Sequence, residues 1–222
     1  MDGLISSRQN RKRGRDQYFS AFSSVSRFDN LDWGNNGAFS EMPDDTIEHF
    51  ISMLPVFEQL RAREVCRRWQ AIVERGMKEL VLIGCGQSLT ADNASTFCQR
   101  FTNVRTLHFE DFRDASDYHF AQICTSFPQL TALQVSGCVD LTEESVRHIA
   151  NGSPLLETLI MTENALPMHG SLYTDKAMQY LADGCKYLRK LSTRADNITD
   201  TGLMYLAQSC KQLRVPISYN IS

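Results

Sequence analysis

Apolar residues recur at a near-constant interval along residues 77–222, and this interval predicts an internal repeat. Six repeat starts are separated by 27, 26, 26, 32 and 25 residues. In each of the first five repeats a leucine follows three residues after the start, and in four of them an apolar residue follows five after it. Such alternation over a short stretch predicts one β-strand per repeat. The starts are Met77, Val104, Leu130, Leu156, Leu188 and Leu213.

The second half of each repeat predicts a helix. A Ser or Thr residue, which can cap a helix N-terminus, is followed by apolar residues four and seven positions later. One strand and one helix cannot bury their apolar faces alone, so neighbouring repeats are expected to stack. We therefore expect an α/β solenoid, with parallel strands on the concave side and helices on the convex side as right-handed crossovers. The capping residues are Thr90, Ser116, Thr142, Thr174 and Thr199.

Residues 39–75 have a different pattern, which predicts three short helices. Apolar residues between Met42 and Leu54 fall on one helical face, while Pro43 favours the helix start and Pro55 ends the helix. A block of about 40 residues rarely buries its core unaided, so we expect it to need something to pack on. The first helix carries Ile47, Phe50, Ile51 and Leu54, the second Phe57 and Leu60, and the third Ala62, Val65, Cys66, Trp69 and Ile72.

The motifs of this block resemble an F-box. Met42-Pro43 opens a helix, Leu54-Pro55 follows it, and Val65-Cys-Arg-Arg-Trp69 closes the segment; Met42 replaces the usual Leu, a mild change in volume. The resemblance implies docking onto the Skp-type adaptor, and through it the cullin, of an SCF (Skp–cullin–F-box) ubiquitin ligase. Periodicity leaves open which side chains meet the adaptor and which form the small core behind it. The implied residues are Pro43, Ile47, Phe50, Leu54, Leu60, Val65, Cys66 and Trp69.

The repeats resemble the cysteine-containing leucine-rich repeats that follow many F-boxes, so the whole chain resembles the F-box/leucine-rich-repeat family. The resemblance implies a protein substrate, and the third, fifth and seventh positions of each repeat point to the concave face. That face changes from apolar and acidic to basic along the chain, which fits a protein ligand with the opposite gradient. An ordinary solvated face is the alternative, and the insertion at 166–172 is a second candidate site. The candidate substrate-binding residues are Glu79, Val81, His108, Glu110, Gln134, Ile160, Lys190 and Arg194.

Composition and charge distinguish an N-terminal segment from the rest. The 222 residues carry a formal net charge of −3 and 42% hydrophobic residues, which is typical of a globular protein. Residues 1–38 are polar and predict a disordered tail, in which Arg8 to Arg15 hold five positive charges. This stretch is a solvated tail or a nuclear import signal; interleaved aromatic residues are absent, which disfavours nucleic acid. Neither a membrane-spanning run nor a secretory leader occurs, so we expect cytoplasmic and/or nuclear residence without a membrane partner.

Seven cysteines raise the question of metal or thiol chemistry. Their odd number and the absence of a Cys-x-x-Cys motif disfavour a disulfide framework or a zinc site. Six of them fall at repeated structural positions, so we expect buried, reduced thiols. His108, His119 and His148 do not have the spacing of a known catalytic site. We therefore expect no catalytic residues, no metal and no cofactor.

The sequence predicts a non-catalytic, substrate-recruiting subunit of an SCF-type ubiquitin ligase. Two alternatives stay open: a leucine-rich-repeat scaffold or regulator without a ubiquitylated client, and a nuclear protein that binds polyanions through residues 8–15. The repeat pattern fails after Leu213, because Pro216 and Ser218 stand at core positions. We therefore expect residues 213–222 to be a shortened sixth repeat and the least ordered part of the array.

Overall fold

The computed structural model describes residues 41–84, 90–138, 141–162, 173–193 and 197–214. The chain divides into two compact units, described separately: residues 1–77 with 87–89, and residues 78–86 with 90–222. The predicted tail (1–38), the insertion (166–172) and most of the sixth repeat fall outside the described residues. Within the described ranges no helix has the length and apolar character needed to cross a membrane.

Three short helices form the described part of the first unit. They are α1 (Asp44–Ser52), α2 (Val56–Ala62) and α3 (Arg67–Gly76). Pro43 and Pro55 occupy the N-cap positions of α1 and α2, which agrees with their restricted backbone and missing N–H group. The core of this unit consists of Ile47, Ile51, Leu60, Ala62, Ile72, Val73 and Met77.

The third helix begins later than the apolar pattern predicts. Ala62 ends α2, residues 63–65 form a turn, and Cys66 is the N-cap of α3. Cys66 has an extended backbone, with φ −165° and ψ 169°, and its thiol accepts a hydrogen bond from the Trp69 backbone N–H at 3.5 Å. A continuous helix would leave no chain reversal between α2 and α3, so the observed break is what allows the two helices to pack together.

Two arginines link elements of the first unit. The Arg63 side chain, only 8% exposed, donates to Glu74 of α3 at 2.6 Å. Arg68 of α3 pairs with Asp44 at the start of α1 at 2.8 Å and also donates to the Met42 carbonyl. Because Arg63 and Glu74 are largely removed from water, their pairing neutralises charges that would be costly to leave alone.

The second unit alternates strands and helices. Its strands are β1 (Glu79–Ile83), β2 (Thr106–Glu110), β3 (Ala132–Ser136), β4 (Thr158–Thr162) and β5 (Lys190–Ser192). Its helices are α4 (Ala91–Cys98), α5 (Asp117–Ser126), α6 (Glu143–Gly152), α7 (Asp175–Gly184) and α8 (Asp200–Ser209). The predicted order of one strand and one helix per repeat is therefore confirmed within the described residues.

The five described strands form one parallel sheet in chain order, β1-β2-β3-β4-β5. Each strand pairs with the next so that equivalent repeat positions are partners, as in Leu107 with Leu133 and Leu159 with Leu191. The repeat leucines of the strands are at most 1% exposed and lie on the helix-covered side. The α/β class and the parallel sheet predicted from the sequence are confirmed.

Aromatic side chains fill the core of the second repeat region. Phe109 of β2 stacks on Phe112 with ring centroids 4.0 Å apart and meets Phe120 of α5 edge-on at 5.4 Å. Rings in such offset and edge-on arrangements gain electrostatic stabilisation in addition to the area that they bury. The fully buried phenylalanines are Phe101, Phe109, Phe112, Phe120 and Phe127.

All five predicted helix caps are confirmed, and most of them also connect successive repeats. Thr142, the N-cap of α6, donates through its backbone N–H and hydroxyl to Asp117, the first residue of α5, at 3.0 and 2.6 Å. Thr199 makes the same pair of bonds to Asp175, at 2.7 and 2.6 Å. Thr174 bonds in the same way to Glu143. Each of these carboxylates therefore joins the start of one helix to the start of the next.

A backbone ladder runs from the first repeat to the sixth. The N–H of the second residue in each repeat donates to the carbonyl of its counterpart in the previous repeat, ending with Arg214 donating to Arg189 at 2.9 Å. Residues 213 and 214 thus continue the repeat pattern. Residues 215–222 lie outside the described residues, so the expected low order of the sixth repeat stays a prediction.

Candidate protein-binding surfaces

Large apolar side chains are exposed at the end of α1. Phe50 is 56% exposed, Met53 70% and Leu54 41%. Burial of one such side chain is worth about 1.5–3 kcal/mol, so three in five consecutive residues make a costly solvent-facing surface. We refer to Phe50, Met53 and Leu54 as the apolar patch. Val65, in the turn before α3, is also exposed, at 38%.

Burial separates the residues that the F-box resemblance left undivided. Ile47 and Leu60 are each 2% exposed and belong to the core of the first unit, because they lie where its helices face one another. The Cys66 and Trp69 side chains are half-buried, and Pro43 is exposed. Pro43, Phe50, Leu54 and Val65 are therefore the predicted residues most accessible to a partner, while Ile47 and Leu60 support them from behind.

Met53 was missed by the sequence pattern. It follows Phe50 by three residues and precedes Leu54, so the three side chains share a second apolar stripe beside that of Ile47 and Ile51. The signal was the wide apolar arc from Ile47 to Leu54, which exceeds the face that the buried Ile47 and Ile51 require.

The predicted substrate-binding residues lie on the side of the sheet that helices leave uncovered. Burial alternates along every strand, and the third, fifth and seventh repeat positions are its more accessible members. The structure thus brings together residues from all five strands on one face. These residues are Glu79, Val81, His108, Glu110, Gln134, Ile160 and Lys190, whereas Arg194 falls outside the described residues.

Polar contacts on this face are concentrated on the first three strands. His108 Nε2 lies 3.7 Å from Glu79 Oε1, and Gln134 Nε2 donates to Glu110 Oε1 at 3.2 Å. Glu79 and Glu110 make this end acidic, whereas Lys190 lies at the β5 end. The described side chains of this face are therefore acidic on β1 and β2 and basic at Lys190 of β5, and the full gradient stays a prediction.

Four of the described cysteines have the properties of structural thiols. Burial raises the pKa of Cys98, and raises the pKa values of Cys124, Cys138 and Cys185 to about 12. Because the thiolate is the nucleophile, a buried thiol with a raised pKa is unreactive at neutral pH. All six described cysteines are unpaired, and in this part of the chain no three His, Cys, Asp or Glu side chains are placed to hold a metal ion.

A serine, a histidine and an aspartate meet at the start of α5. His119 Nδ1 lies 2.9 Å from Ser116 Oγ, and His119 Nε2 lies 3.0 Å from Asp92 Oδ1. Nδ1 also accepts the Ser116 backbone N–H at 3.0 Å, so its lone pair is engaged in a capping box. A general base needs that lone pair for the incoming proton. The arrangement is therefore a helix cap that also reaches the preceding repeat through Asp92.

Comparison with known proteins identifies one domain. Residues 39–77 match the F-box domain family, so the chain carries an F-box domain. No curated protein matches the chain.

Among the solved structures similar to the chain are the following two. Actin-binding site 2 of leiomodin-1 is 15% identical, with 61% of this chain and 80% of that chain covered and a TM-score of 0.46. The tropomodulin C-terminal domain from Caenorhabditis elegans is 10% identical, with 61% and 83% covered and a TM-score of 0.44. Likeness at this level supports no conclusion about function, and the fold rests on the strand order and register described above.

Proposed function

We propose that the protein is a substrate-recruiting, non-catalytic subunit of an SCF-type ubiquitin ligase. The observation that carries this proposal is the F-box domain at residues 39–77 with an exposed apolar patch at the end of its first helix. F-box domains bind Skp-type adaptors in SCF complexes. An adaptor that covers Phe50, Met53 and Leu54 would remove from water the apolar surface that the first unit leaves exposed.

The proposed mechanism is proximity. The F-box holds the adaptor and through it the cullin, and the repeats hold a protein substrate. Tethering raises the effective concentration of substrate lysines near the conjugating enzyme, so no catalytic group is required from this chain. The unreactive thiols and the occupied His119 lone pair agree with that division of labour.

Co-purification of the adaptor tests the first half of the proposal. The triple variant Phe50→Ala/Met53→Ala/Leu54→Ala should lose the adaptor and the cullin, whereas wild type should retain both. Leu155→Ala/Tyr187→Ala is a suitable control because these side chains are also exposed, at 43% and 51%, but lie in the second unit. Failure of wild type to retain an adaptor, or equal retention by the triple variant, would contradict the proposed docking surface.

The repeat array is the proposed substrate-binding part. We assign it as a leucine-rich-repeat solenoid on the basis of its repeat spacing, its parallel strands in register and its capped helices. Its accessible sheet face presents acidic residues on β1 and β2 and Lys190 on β5, which suits a protein ligand with opposite polarity.

A comparison of ubiquitylated peptides between cells with and without the protein tests the second half. A substrate receptor predicts at least one binding protein whose ubiquitylation falls and whose abundance rises on loss. Adaptor binding without any such client would favour the scaffold or regulator function instead.

Cytoplasmic and/or nuclear residence is also a proposal, with residues 8–15 as the import signal. Replacing the five basic residues of this stretch by alanine in a fluorescent fusion should reduce the nuclear fraction. An unchanged distribution would leave the stretch as a solvated tail.

A further inference from the structure

Basic side chains concentrate where the fifth repeat meets the sixth. The segments 181–193 and 207–214 contain five Lys or Arg residues and a single acidic residue, Asp183. All five basic residues are exposed. We call this set the basic corner, and it consists of Lys186, Arg189, Lys190, Lys211 and Arg214.

Repeat geometry places these cations side by side. Arg189 and Arg214 occupy equivalent positions, and the Arg214 backbone N–H donates to the Arg189 carbonyl at 2.9 Å. Lys186 and Lys211 are also equivalent, each two residues before a repeat start. Adjacent parallel strands lie about 5 Å apart, so equivalent residues of successive repeats are near neighbours.

Backbone carbonyls fix two of the ammonium groups. Lys186 Nζ donates to the Ala182 carbonyl at 2.6 Å, and Lys211 Nζ donates to the Ala207 carbonyl at 3.2 Å. Both carbonyls lie in the last turn of their helix, where the helix dipole favours a cation. Each ammonium has three N–H donors, so two remain for another acceptor. The charges are therefore held in place without being neutralised.

The third and fourth repeats lack this concentration. The position of Lys186 and Lys211 is taken by Thr102, Pro128 and Pro154 before the starts of the second, third and fourth repeats. The position of Arg189 is taken by Lys78 and Arg105 in the first two repeats and by Thr131 and Glu157 in the next two. Glu157 pairs with Arg189 at 3.1 Å and offsets one of the five charges. The corner is thus a local feature on a chain whose formal net charge is −3.

We propose that the basic corner binds a carboxylate-rich segment of the recruited protein. This inference rests on the proposed function, and it adds the charge of the client segment and the place where it docks. Peptide carboxylates can accept hydrogen bonds from the remaining ammonium N–H groups of Lys186 and Lys211. They can also accept hydrogen bonds from the guanidinium N–H groups of Arg214. A compact corner two repeats wide suits a short acidic run better than nucleic acid, which needs a groove that follows several phosphates.

Fluorescence anisotropy with the full chain tests the proposal. The probes are a fluorescein-labelled octaglutamate peptide and a labelled eight-residue thymidine oligonucleotide, each at about 50 mM salt. The test variant is Lys186→Gln/Lys190→Gln/Lys211→Gln. The control variant, Lys78→Gln/Arg105→Gln/Arg113→Gln, removes three exposed charges elsewhere in the same array. Thermal melting confirms that both variants are folded.

The expected result is that wild type and the control bind octaglutamate equally, while the test variant binds roughly 10-fold more weakly or not at all. Equal binding by the test variant, or no binding by wild type, would overturn the proposal. Tighter binding of the oligonucleotide than of octaglutamate, lost in the test variant, would overturn it in favour of nucleic acid. Adaptor co-purification from the same preparations separates these results from failure of the ligase proposal.

Discussion

His119 uses both ring nitrogens to hold the start of α5. Nδ1 accepts from Ser116, and Nε2 lies 3.0 Å from Asp92 Oδ1 in the preceding repeat. His119 itself is only 8% exposed, whereas the Asp92 side chain is 82% exposed. At the residue scale, one side chain therefore caps a helix and links two repeats.

Replacing His119 by alanine should lower the free energy of unfolding by about 2 kcal/mol, because the cap is lost and the Ser116 N–H loses its acceptor. Urea unfolding of the purified protein measures this loss. His148→Ala, at a half-buried position on α6, serves as the control and should cost clearly less. Equal losses for the two variants would contradict the special role of His119.

The buried thiols predict that stability falls in alkali. The pKa of Cys138 is raised to about 12 by burial, whereas an unfolded thiol titrates near its ordinary value of about 8.5. Above that value the unfolded chain loses the proton and the folded chain keeps it, so unfolding becomes easier by up to about 1.4 kcal/mol per pH unit per thiol. Stability is thus retained below about pH 8.5 and lost towards pH 12.

Unfolding of wild type and Cys138→Ala between pH 8 and 10 isolates this contribution. Other groups titrate in both proteins, so the difference in slope belongs to Cys138. Wild type should lose stability more steeply with rising pH than the variant. Parallel slopes would show that the thiol is accessible or ionises normally in the folded protein.

At the scale of elements, carboxylates at the helix starts act as acceptors for the next repeat. Thr142 donates twice to Asp117, and Thr199 donates twice to Asp175. The Thr199 hydroxyl and backbone N–H bonds lower the pKa of Asp175, which shows that the charged carboxylate is the preferred acceptor. The same threonines therefore cap their own helices and connect successive repeats.

A double-mutant cycle on Asp117→Ala and Thr142→Ala should give a coupling energy of about 1 kcal/mol in urea unfolding, because both changes remove the hydrogen bond between the Thr142 hydroxyl and Asp117. The bond from the Thr142 backbone N–H is lost only in Asp117→Ala. The cycle pairing Asp183→Ala with Thr142→Ala provides the comparison, since Asp183 is an exposed acid of α7. Additive effects in both cycles would mean that the carboxylate does not couple the repeats.

The repeat elements could be predicted from the sequence because spacing encodes them directly. The five helix-capping residues, the first being Thr90 and the last Thr199, lie where their periodicity indicates, and so do the strand leucines. The start of α3 could not be predicted, because the helical periodicity of apolar residues continues through residues 63–65. Only the extended backbone at Cys66 ends the helical conformation there. The division between Ile47 inside and Phe50 outside required three-dimensional burial, since both lie on the apolar side of one helix.

At the scale of the whole array, stability depends on nearest neighbours. Each described strand pairs only with the strands before and after it in the chain, and β5 pairs with β4 alone among the described strands. Loss of packing in one repeat should therefore spread to adjacent repeats and weaken with distance. The effect of a substitution on stability should therefore depend as much on its position within the array as on the residue type.

Leu159→Ala and Leu191→Ala test this dependence with the same substitution at equivalent, buried positions. Each substitution should lower the free energy of unfolding by about 2–5 kcal/mol. The loss should be larger for Leu159→Ala because β4 has a neighbouring strand on each side. Amide hydrogen exchange should lose protection in β3, β4 and β5 for Leu159→Ala, and in β4 and β5 for Leu191→Ala. Uniform loss across all strands in both variants would indicate a single cooperative block instead.

The 32-residue interval before the fifth repeat leaves the sheet register unchanged. Thr174 lies 18 residues after its repeat start and Thr142 lies 12 after its own, so the six extra residues fall between β4 and α7. Leu159 still pairs with Leu191, and Thr174 still bonds to Glu143. The fold therefore tolerates a change in chain length at this junction. The junction is a suitable place to engineer an epitope tag or a fluorescent reporter.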